Sequence, residues 1–478
     1  MRVVAASGPD AAATERSADY RIVALVVSTS LFMQYLDSSA LVTALPSMAR
    51  GFGVSPTTIT VVLTAYLVSL ALFIPLGGLL AEHFGARRMF RIALGLFLAG
   101  ALACAFAPSL PLLICARIVQ GAGGAIMLPV GRLIVVRSSR PSELLSAMNW
   151  LMIPTIVGPM LGPLVGGVLT TMASWRWIFA LHVPVAVTGL LLSGVFIPPI
   201  PGEASPGFDG RGMLLVGGAL VLLVFGIQSL SHSPSTPRDG LLLVAGSFLS
   251  GGLYVVHSRR HPKPLLDLSL LALPTFRISM ESGAFLRVAS AASGFLMPML
   301  FQLGFGLSAA QSGAITFAAV VGGLLSRWLG VPIIRRFTIR KVTLGAIAAS
   351  AAAMATTSLV GPAWPIWALW GLLGAGGFFQ SVAFVVLGSI AYVDVEPARA
   401  AAATAFYTTI QQMTMSLGVS LGVLLLAVQQ WMSAAPVPQL QHFAHAFLAL
   451  AAVLLAGMAA GMRFHPEAGA ALRAGANR

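Results

Sequence analysis

The sequence predicts an all-α polytopic membrane protein. Three observations predict it. Of 478 residues, 57% are hydrophobic and only 9% are charged, against roughly 25% charged in a soluble globular chain, so a water-facing surface cannot be built. Apolar runs of about 20 residues, the length one helix needs to cross hydrocarbon, recur along the chain. Short polar or basic segments with Pro and Gly separate them.

Fourteen such runs can be placed, the first at about 22–44 and the last at about 441–462. They divide the chain into a tail (1–21), six runs (22–197), a linker with two further runs (198–278), six more runs (279–462) and a second tail (463–478). The first tail carries Asp10, Glu15 and Asp19 and has no short apolar core with a cleavage site, so it does not read as a signal peptide. The stretch "PPIPGEASPGFDGRG" is Pro/Gly-rich and reads as the linker leaving the first six-run set.

The net charge is +14. No basic stripe alternates with aromatics, which argues against a nucleic-acid partner. With the N-terminus inside, most of the 28 Lys and Arg fall in inside loops, for example Arg87, Arg88, Arg91, Arg335 and Arg336. Outside lie only Arg50, Arg238 and Arg176. This is the positive-inside bias; it requires an even number of spans with both termini in the cytoplasm. Cys104 and Cys115 sit in apolar runs and read as small buried hydrophobes, with no disulfide or metal-site spacing.

The stretch "GGLLAEHFGARRMFR" begins at Gly77, and "GGLLSRWLGVPIIRR" begins at Gly322. Both open on GGLL, carry a glycine eight places on (Gly85, Gly330) and feed a basic loop. Each copy ends the second run of a six-run set. Two repeated halves around a central site are a common transporter plan.

Four stretches resemble the motifs of the major facilitator superfamily, and within it the fourteen-span drug:proton antiporters of the EmrB/QacA type. "LDSSALVTALPSMA" from Leu36 resembles the first-helix signature, and "GGLLAEHFGARRMF" the loop motif between helices two and three. "LLICARIVQGAGGAI" from Leu112 resembles the fourth-helix motif, and "GPMLGPLVGGVL" from Gly158 the fifth-helix antiporter motif. The sequence departs from these patterns at Ser39, Val42, Glu82, His83 and Ala86, and Arg327 occupies the acid position of the second loop. The resemblance implies a major facilitator fold of two six-helix bundles plus two central helices, in a bacterial-type inner membrane. It implies proton-coupled antiport of amphipathic drugs or toxic compounds by alternating access.

Asp37 is the one acid placed in the middle of an apolar run. An ionised acid there costs at least about 2.5–3.5 kcal/mol on insertion scales, so it reads as functional. Desolvation disfavours the charged form, and an acid that exchanges its proton inside the membrane could carry one across. Arg117, in the fourth run, lies at nearly the same depth and is the expected partner. The resemblance implicates its position in proton transfer. An arginine does not release its proton, so it would hold the acid or a water. Arg287, in the ninth run, is the other candidate, pairing with Asp37 or binding an anionic substrate.

Gln34, Gln120, Asn149, Trp150, Arg287, Phe295, Gln302, Gln380 and Gln411 are the expected substrate-cavity residues. Gly78, Glu82, Gly85, Arg87 and Arg88 are expected to form a cytoplasmic gate. Gly158, Pro159, Gly162, Pro163, Gly166 and Gly167 are expected to shape the antiporter helix, since proline kinks a helix and glycine allows close contact.

An ATP-binding loop needs Gly-Lys-Ser/Thr, but Lys263 and Lys341 follow Pro262 and Arg340. Transport must then draw on an ion gradient, a substrate gradient or another protein. His182, His442 and His445 are dispersed, which argues against a membrane enzyme, as a channel is also remote. No cofactor and no metal are expected. The expected partners are protons, the lipid bilayer and a small-molecule substrate, with the protein a monomer or part of a larger efflux assembly. The alternative to drug export is export of an anionic metabolite, an organic acid or siderophore, on the strength of Arg287.

Overall fold

The computed structural model describes residues 20–140, 143–202, 209–232, 236–262, 264–396, 399–435 and 437–465. They form fourteen long helices with no strand among the described residues. The first six are α1 (Tyr20–Phe52), α2 (Val61–Phe84), α3 (Ala86–Ala105), α4 (Leu110–Ser138), α5 (Leu144–Met172) and α6 (Arg176–Phe196). Two more follow, α7 (Gly210–His232) and α8 (Arg238–Arg260). The last six are α9 (Pro274–Met299), α10 (Ala309–Arg336), α11 (Ile339–Thr357), α12 (Ile366–Ile390), α13 (Ala400–Met432) and α14 (Leu440–Gly461).

Among the described residues, twelve of these helices are long and apolar enough to cross a membrane. The two that fall short are α5, whose described apolar part is Val157–Met172, and α11. Helix α11 has only 19 residues, opens on Arg340 and Lys341, and is built mostly of alanine, serine and threonine. The helices also run past their apolar cores. Helix α1 has 33 residues, about 50 Å at 1.5 Å per residue. Arg50, expected in an outside loop, is in its last turn.

Helices α1–α6 pack on one another, as do α9–α14, while α7 and α8 pair together. The two six-helix sets meet where α5 lies on α10 and where α2 lies on α13. Helix α7 lies along that second seam: Leu220 and Val224 cover Val68 and Ala71 of α2 and reach Met413 and Leu417 of α13. Gln228 adds a hydrogen bond to Thr64 Oγ1 at 2.5 Å.

Glycine sets the close contacts, as expected where lipid supplies no hydrophobic drive between helices. A Cβ on Gly158 would stand 2.8 Å from the Phe32 carbonyl oxygen, and one on Gly166 would collide with the Ala40 carbonyl. The far side of the same helix carries Gly167, against the Ala309 carbonyl, and Pro163, whose carbonyl meets Gly313. Helix α5 is therefore clamped between α1 of its own set and α10 of the other. The two GGLL copies play one structural role. Gly77 presses α2 onto Pro129 and Ile126 of α4, and Gly322 presses α10 onto Gly374 of α12.

Elements end where local chemistry stops them. Gly85 separates α2 from α3 at φ +87°, and a Cβ there would lie 2.8 Å from the Ile200 carbonyl oxygen; only glycine takes that conformation freely. Helix α10 starts on a capping box, with Ser308 Oγ accepting from Gln311 N–H at 3.2 Å and Gln311 Oε1 accepting from Ser308 N–H at 2.9 Å. Asp209 caps α7. Burial opposes its ionisation, but hydrogen bonds from Gly212, His257 and Leu265 outweigh that and hold its pKa below the usual carboxylate range.

A Gly166→Val protein should unfold at a lower temperature in detergent, by an overpacking cost of about 1–3 kcal/mol. Gly78→Ala should cost nothing, because a Cβ at Gly78 meets no atom within 4 Å. Thermal unfolding of both proteins checks the pair; equal losses would contradict this packing.

Candidate functional site

Three elements bring the central charges together. Asp37 is near the middle of α1, Arg117 is in the second turn of α4, and Gln120 is one turn further on. Asp37 and Arg117 are both fully buried, with Arg117 Nη1 donating to Asp37 Oδ2 at 2.6 Å. Arg117 Nη1 also donates to Gln120 Oε1 at 2.8 Å, and Gln120 Nε2 reaches Asp37 Oδ1 at 3.4 Å. Arg117 Nε donates to the Val62 carbonyl of α2 at 3.3 Å. The guanidinium stacks on Tyr66, 4.1 Å from the ring centre, with Phe179 at 5.6 Å.

The glycines of the fourth-helix motif make this approach possible. A Cβ on Gly121 would meet Ser69 Cβ at 2.7 Å, and one on Gly123 the Phe97 N and Ala93 O atoms at 2.5 and 2.6 Å. Gly100 of α3 gives way in turn beneath Gln120. His182, read from the sequence as dispersed, belongs to this cluster. Its Nε2 stands 3.9 Å from Asp37 Oδ1, and its ring packs edge-on against Phe97. Only the fold brings α6 to α1, so spacing carried no signal for it.

A cavity of about 550 Å³ lies between the two six-helix sets. Gln34, Ser38 and Thr43 of α1, Pro159 and Pro163 of α5, Phe295 of α9, Gln380 of α12 and Gln412 of α13 contribute to its wall. Most of the remainder is leucine, methionine, alanine and glycine, and no Asp, Glu, His, Lys or Arg lines it among the described residues. Asp37 is not in the wall; it faces α4 and α6 while its neighbours Gln34 and Ser38 face the cavity.

Several expected cavity residues are elsewhere. Gln120 is consumed by the Asp37–Arg117 cluster. Trp150 is 37% exposed and does not reach the cavity. Gln302 donates to the Thr43 carbonyl at 2.9 Å and ties the two sets together. Gln411 does not line the cavity; its neighbour Gln412, about 100° around the helix, lines the wall instead. The side chain of Asn149 lies outside the described ones. Arg287 neither pairs with Asp37 nor lines the cavity. It lies one turn from the lining stretch of α9, 1% exposed, stacked 4.6 Å from the Tyr407 ring centre. Neither of its Nη atoms meets a hydrogen-bond acceptor among the described residues.

At the α2–α3 turn, Arg87 donates to the Gly194 carbonyl at the end of α6. Gly85 rests on Ile200, while Glu82 and Arg88 are exposed. The expected gate thus seats against the segment that leaves α6. Gly78 has open space around it, and the close contact belongs to Gly77. At the opposite end the sets are joined by Gln302 to Thr43 and by the Ala310 N–H to Thr171 Oγ1 at 3.0 Å.

Truncating Arg117 to Met leaves a buried carboxylate unpaired and should cost roughly 3–5 kcal/mol. The double variant Asp37→Leu, Arg117→Met should lose less than Arg117→Met alone. A double-mutant cycle on detergent-solubilised protein measures this. Additive losses would mean that the two groups are not energetically coupled.

Comparison with known proteins agrees with this architecture. The family model described as Major Facilitator Superfamily matches residues 27–419. The chain is 31% identical over 447 residues to a protein of Klebsiella pneumoniae subsp. pneumoniae provisionally named multidrug resistance protein MdtD, covering 92% of this chain and 94% of that one. It is 32% identical over 410 residues to the Salmonella paratyphi B protein of the same name, covering 84% and 86%. Among solved structures, an auto-inhibited peptide transporter of the POT family superposes with a TM-score of 0.64 at 16% identity, over 93% of this chain and 97% of that one. The nucleoside transporter NupG superposes with a TM-score of 0.62, also at 16% identity, over 93% and 99%. The structural likeness speaks to the fold; the family match and the MdtD relatives speak to descent. This multi-pass, all-α chain belongs to the major facilitator superfamily, as an MdtD-like, non-enzymatic transporter.

Proposed function

We propose that this protein is a proton-coupled exporter of amphipathic compounds, working by alternating access in a bacterial-type inner membrane with both termini in the cytoplasm. The observation that carries the reading is the fully buried Asp37–Arg117 pair beside, but not in, an uncharged cavity between the two helix sets. Protonating Asp37 removes the charge that holds Arg117 and frees α1 from α4. Because Gln34 and Ser38 sit on the cavity face of that same helix, the change is felt where substrate would bind. The helix sets 22–197 and 279–462 are the two bodies that rock, with the 198–278 segment riding between them. The end sealed by Gln302 and Ala310 is opposite the Gly85 turn, so this conformation is read as inward-facing.

The energetics suit one or two protons. One charge moving through 100 mV supplies about 2.3 kcal/mol, and each pH unit about 1.4 kcal/mol. The cavity wall favours apolar or uncharged parts of a substrate, held by sparse amides such as Gln34, Gln380 and Gln412. The multidrug-resistance name of the MdtD relatives points the same way.

A second reading, export of an anionic metabolite, rests on one observation. Arg287 is a buried cation whose Nη atoms have no acceptor among the described residues, one turn beyond the cavity wall.

In proteoliposomes, Asp37→Asn should bind a hydrophobic dye normally yet lose export driven by a pH gradient. Full gradient-driven export by that variant would sink the coupling role. Arg287→Ala should leave dye export unchanged on the first reading. On the second, it should raise the KM for a carboxylate-bearing substrate by roughly 10–100-fold, the worth of a charged hydrogen bond; an unchanged KM for every carboxylate that drives proton counterflow would remove the second reading.

A further inference from the structure

Outside the transport machinery, the inserted pair α7–α8 carries a cluster of ligating side chains. Asp209 stands immediately before α7; His257 is in the last turn of α8, and His261 follows that helix directly. One ligand atom from each of the three lies within 4.8 Å of the others. The two imidazoles are four residues apart, on one face of the helix, with ring centres 5.2 Å apart. Asp209 is only 5% exposed. Its Oδ1 accepts from the Gly212 N–H at 2.8 Å and lies 2.7 Å from His257 Nε2, while its Oδ2 accepts from the Leu265 N–H at 3.0 Å.

We propose that Asp209, His257 and His261 form a binding site for a divalent transition-metal ion of the zinc type. Two imidazoles and one carboxylate are a borderline donor set, suited to Zn²⁺ or Co²⁺ rather than Mg²⁺ or Ca²⁺. Ligands about 2.0–2.2 Å from a tetrahedral ion lie roughly 3.4 Å from one another. The 2.7 Å contact of Asp209 with His257 would open by about 0.7 Å, and the other ligand separations, which reach at most 4.8 Å, would close by up to about 1.4 Å. The Gly212 and Leu265 amides hold the carboxylate from behind and would stay in place as its outer support. The C-terminal end of α8 carries the negative end of a helix dipole, which favours a cation, while the N-terminus of α7 behind Asp209 opposes it, so the ligands themselves must hold the ion. Arg211, two residues after Asp209, and Arg259 and Arg260 beside the histidines are exposed. With solvent completing the fourth position, the ion would tie the start of α7 to the end of α8 and close the base of the inserted pair.

The two histidines four apart are visible in the sequence, but Asp209 lies 48 residues before His257, so only the fold supplies the third ligand.

The test uses full-length protein without a histidine tag, stripped with a chelator. After loading with Zn²⁺ and dialysis, elemental analysis should find one zinc per chain. Loading with Co²⁺ should give the intense visible absorption of a four-coordinate ion. Zn²⁺ should raise the unfolding temperature of the wild-type protein. His261→Ala should weaken binding by roughly 10–100-fold or more, since even outer-shell losses cost that much. His257→Gln, which can still hydrogen-bond Asp209, should abolish the zinc-dependent rise while keeping the metal-free unfolding temperature. Dialysed wild-type protein that retains no zinc, a cobalt spectrum that is only six-coordinate, or equal uptake by a His257→Gln, His261→Ala protein would each overturn the site and leave Asp209–His257 an ordinary hydrogen bond between two helices.

Discussion

The rest of the structure is arranged around one expensive interaction, the ion pair of Asp37 with Arg117. Both side chains are fully out of water. Two such charges are tolerated only with near-ideal geometry and further hydrogen bonds, and leaving one unpartnered is strongly unfavourable. The surroundings meet most of that demand, leaving only Arg117 Nη2 without a hydrogen-bond partner on this side chain among the described residues. Gln120 bonds to both partners, the Val62 carbonyl takes a third guanidinium donor, and the Tyr66 ring covers the cation. None of this is possible unless α4 sits very close to α2 and α3. Gly121 and Gly123 of α4 and Gly100 of α3 supply the closeness. The glycine-rich motif is thus the steric condition for the charge pair.

Charge and cavity are separated by one helix. Gln34 and Ser38 look into the cavity, while Asp37 looks the other way, into α4 and α6. A substrate in the cavity does not touch the carboxylate in this conformation. Under the proposed function, coupling would travel through α1, or through α2, whose Leu63 and Leu67 line the cavity next to the residues that touch Arg117. Helix α1 is well placed to transmit it, because α5 lies along it through Gly158, Gly162 and Gly166, and α5 in turn touches α10 of the other set through Gly167. The contacts on α1, to the backbone at Phe32 and Ala40 and to the Ser39 and Thr43 hydroxyls, leave little slack between α1 and α5.

The inserted pair α7–α8 is joined to both sets without entering the cavity wall. Helix α7 packs on α2 and α13, and the segment after α8 is pinned by its own small core of Tyr254, Leu266, Leu270, Phe276 and Phe406. Near it, Arg399 bonds Asp267 at 2.7 Å. The Asp267 carboxyl is raised by burial but lowered more by bonds from Ser269 and Arg399, so it ends below the usual carboxylate range. The pair is thus anchored by polar contacts at its base and apolar ones along its length.

The sequence by itself determined the class of the molecule. The scarcity of charge excluded a soluble fold, the apolar runs predicted the helices, and the GGLL copies marked equivalent helices in the two sets. It also placed Asp37 and Arg117 at one depth, because helical rise converts position into depth. Only the tertiary structure decided what lies opposite what. It gave Asp37 to Arg117 rather than Arg287, drew Gln120 out of the cavity and into that pair, brought His182 beside it, and exchanged Gln411 for Gln412 in the wall. Depth along a helix can be counted from residue number, but the rotation of each helix about its axis is set by packing against its neighbours, and one residue of error turns a side chain by about 100°.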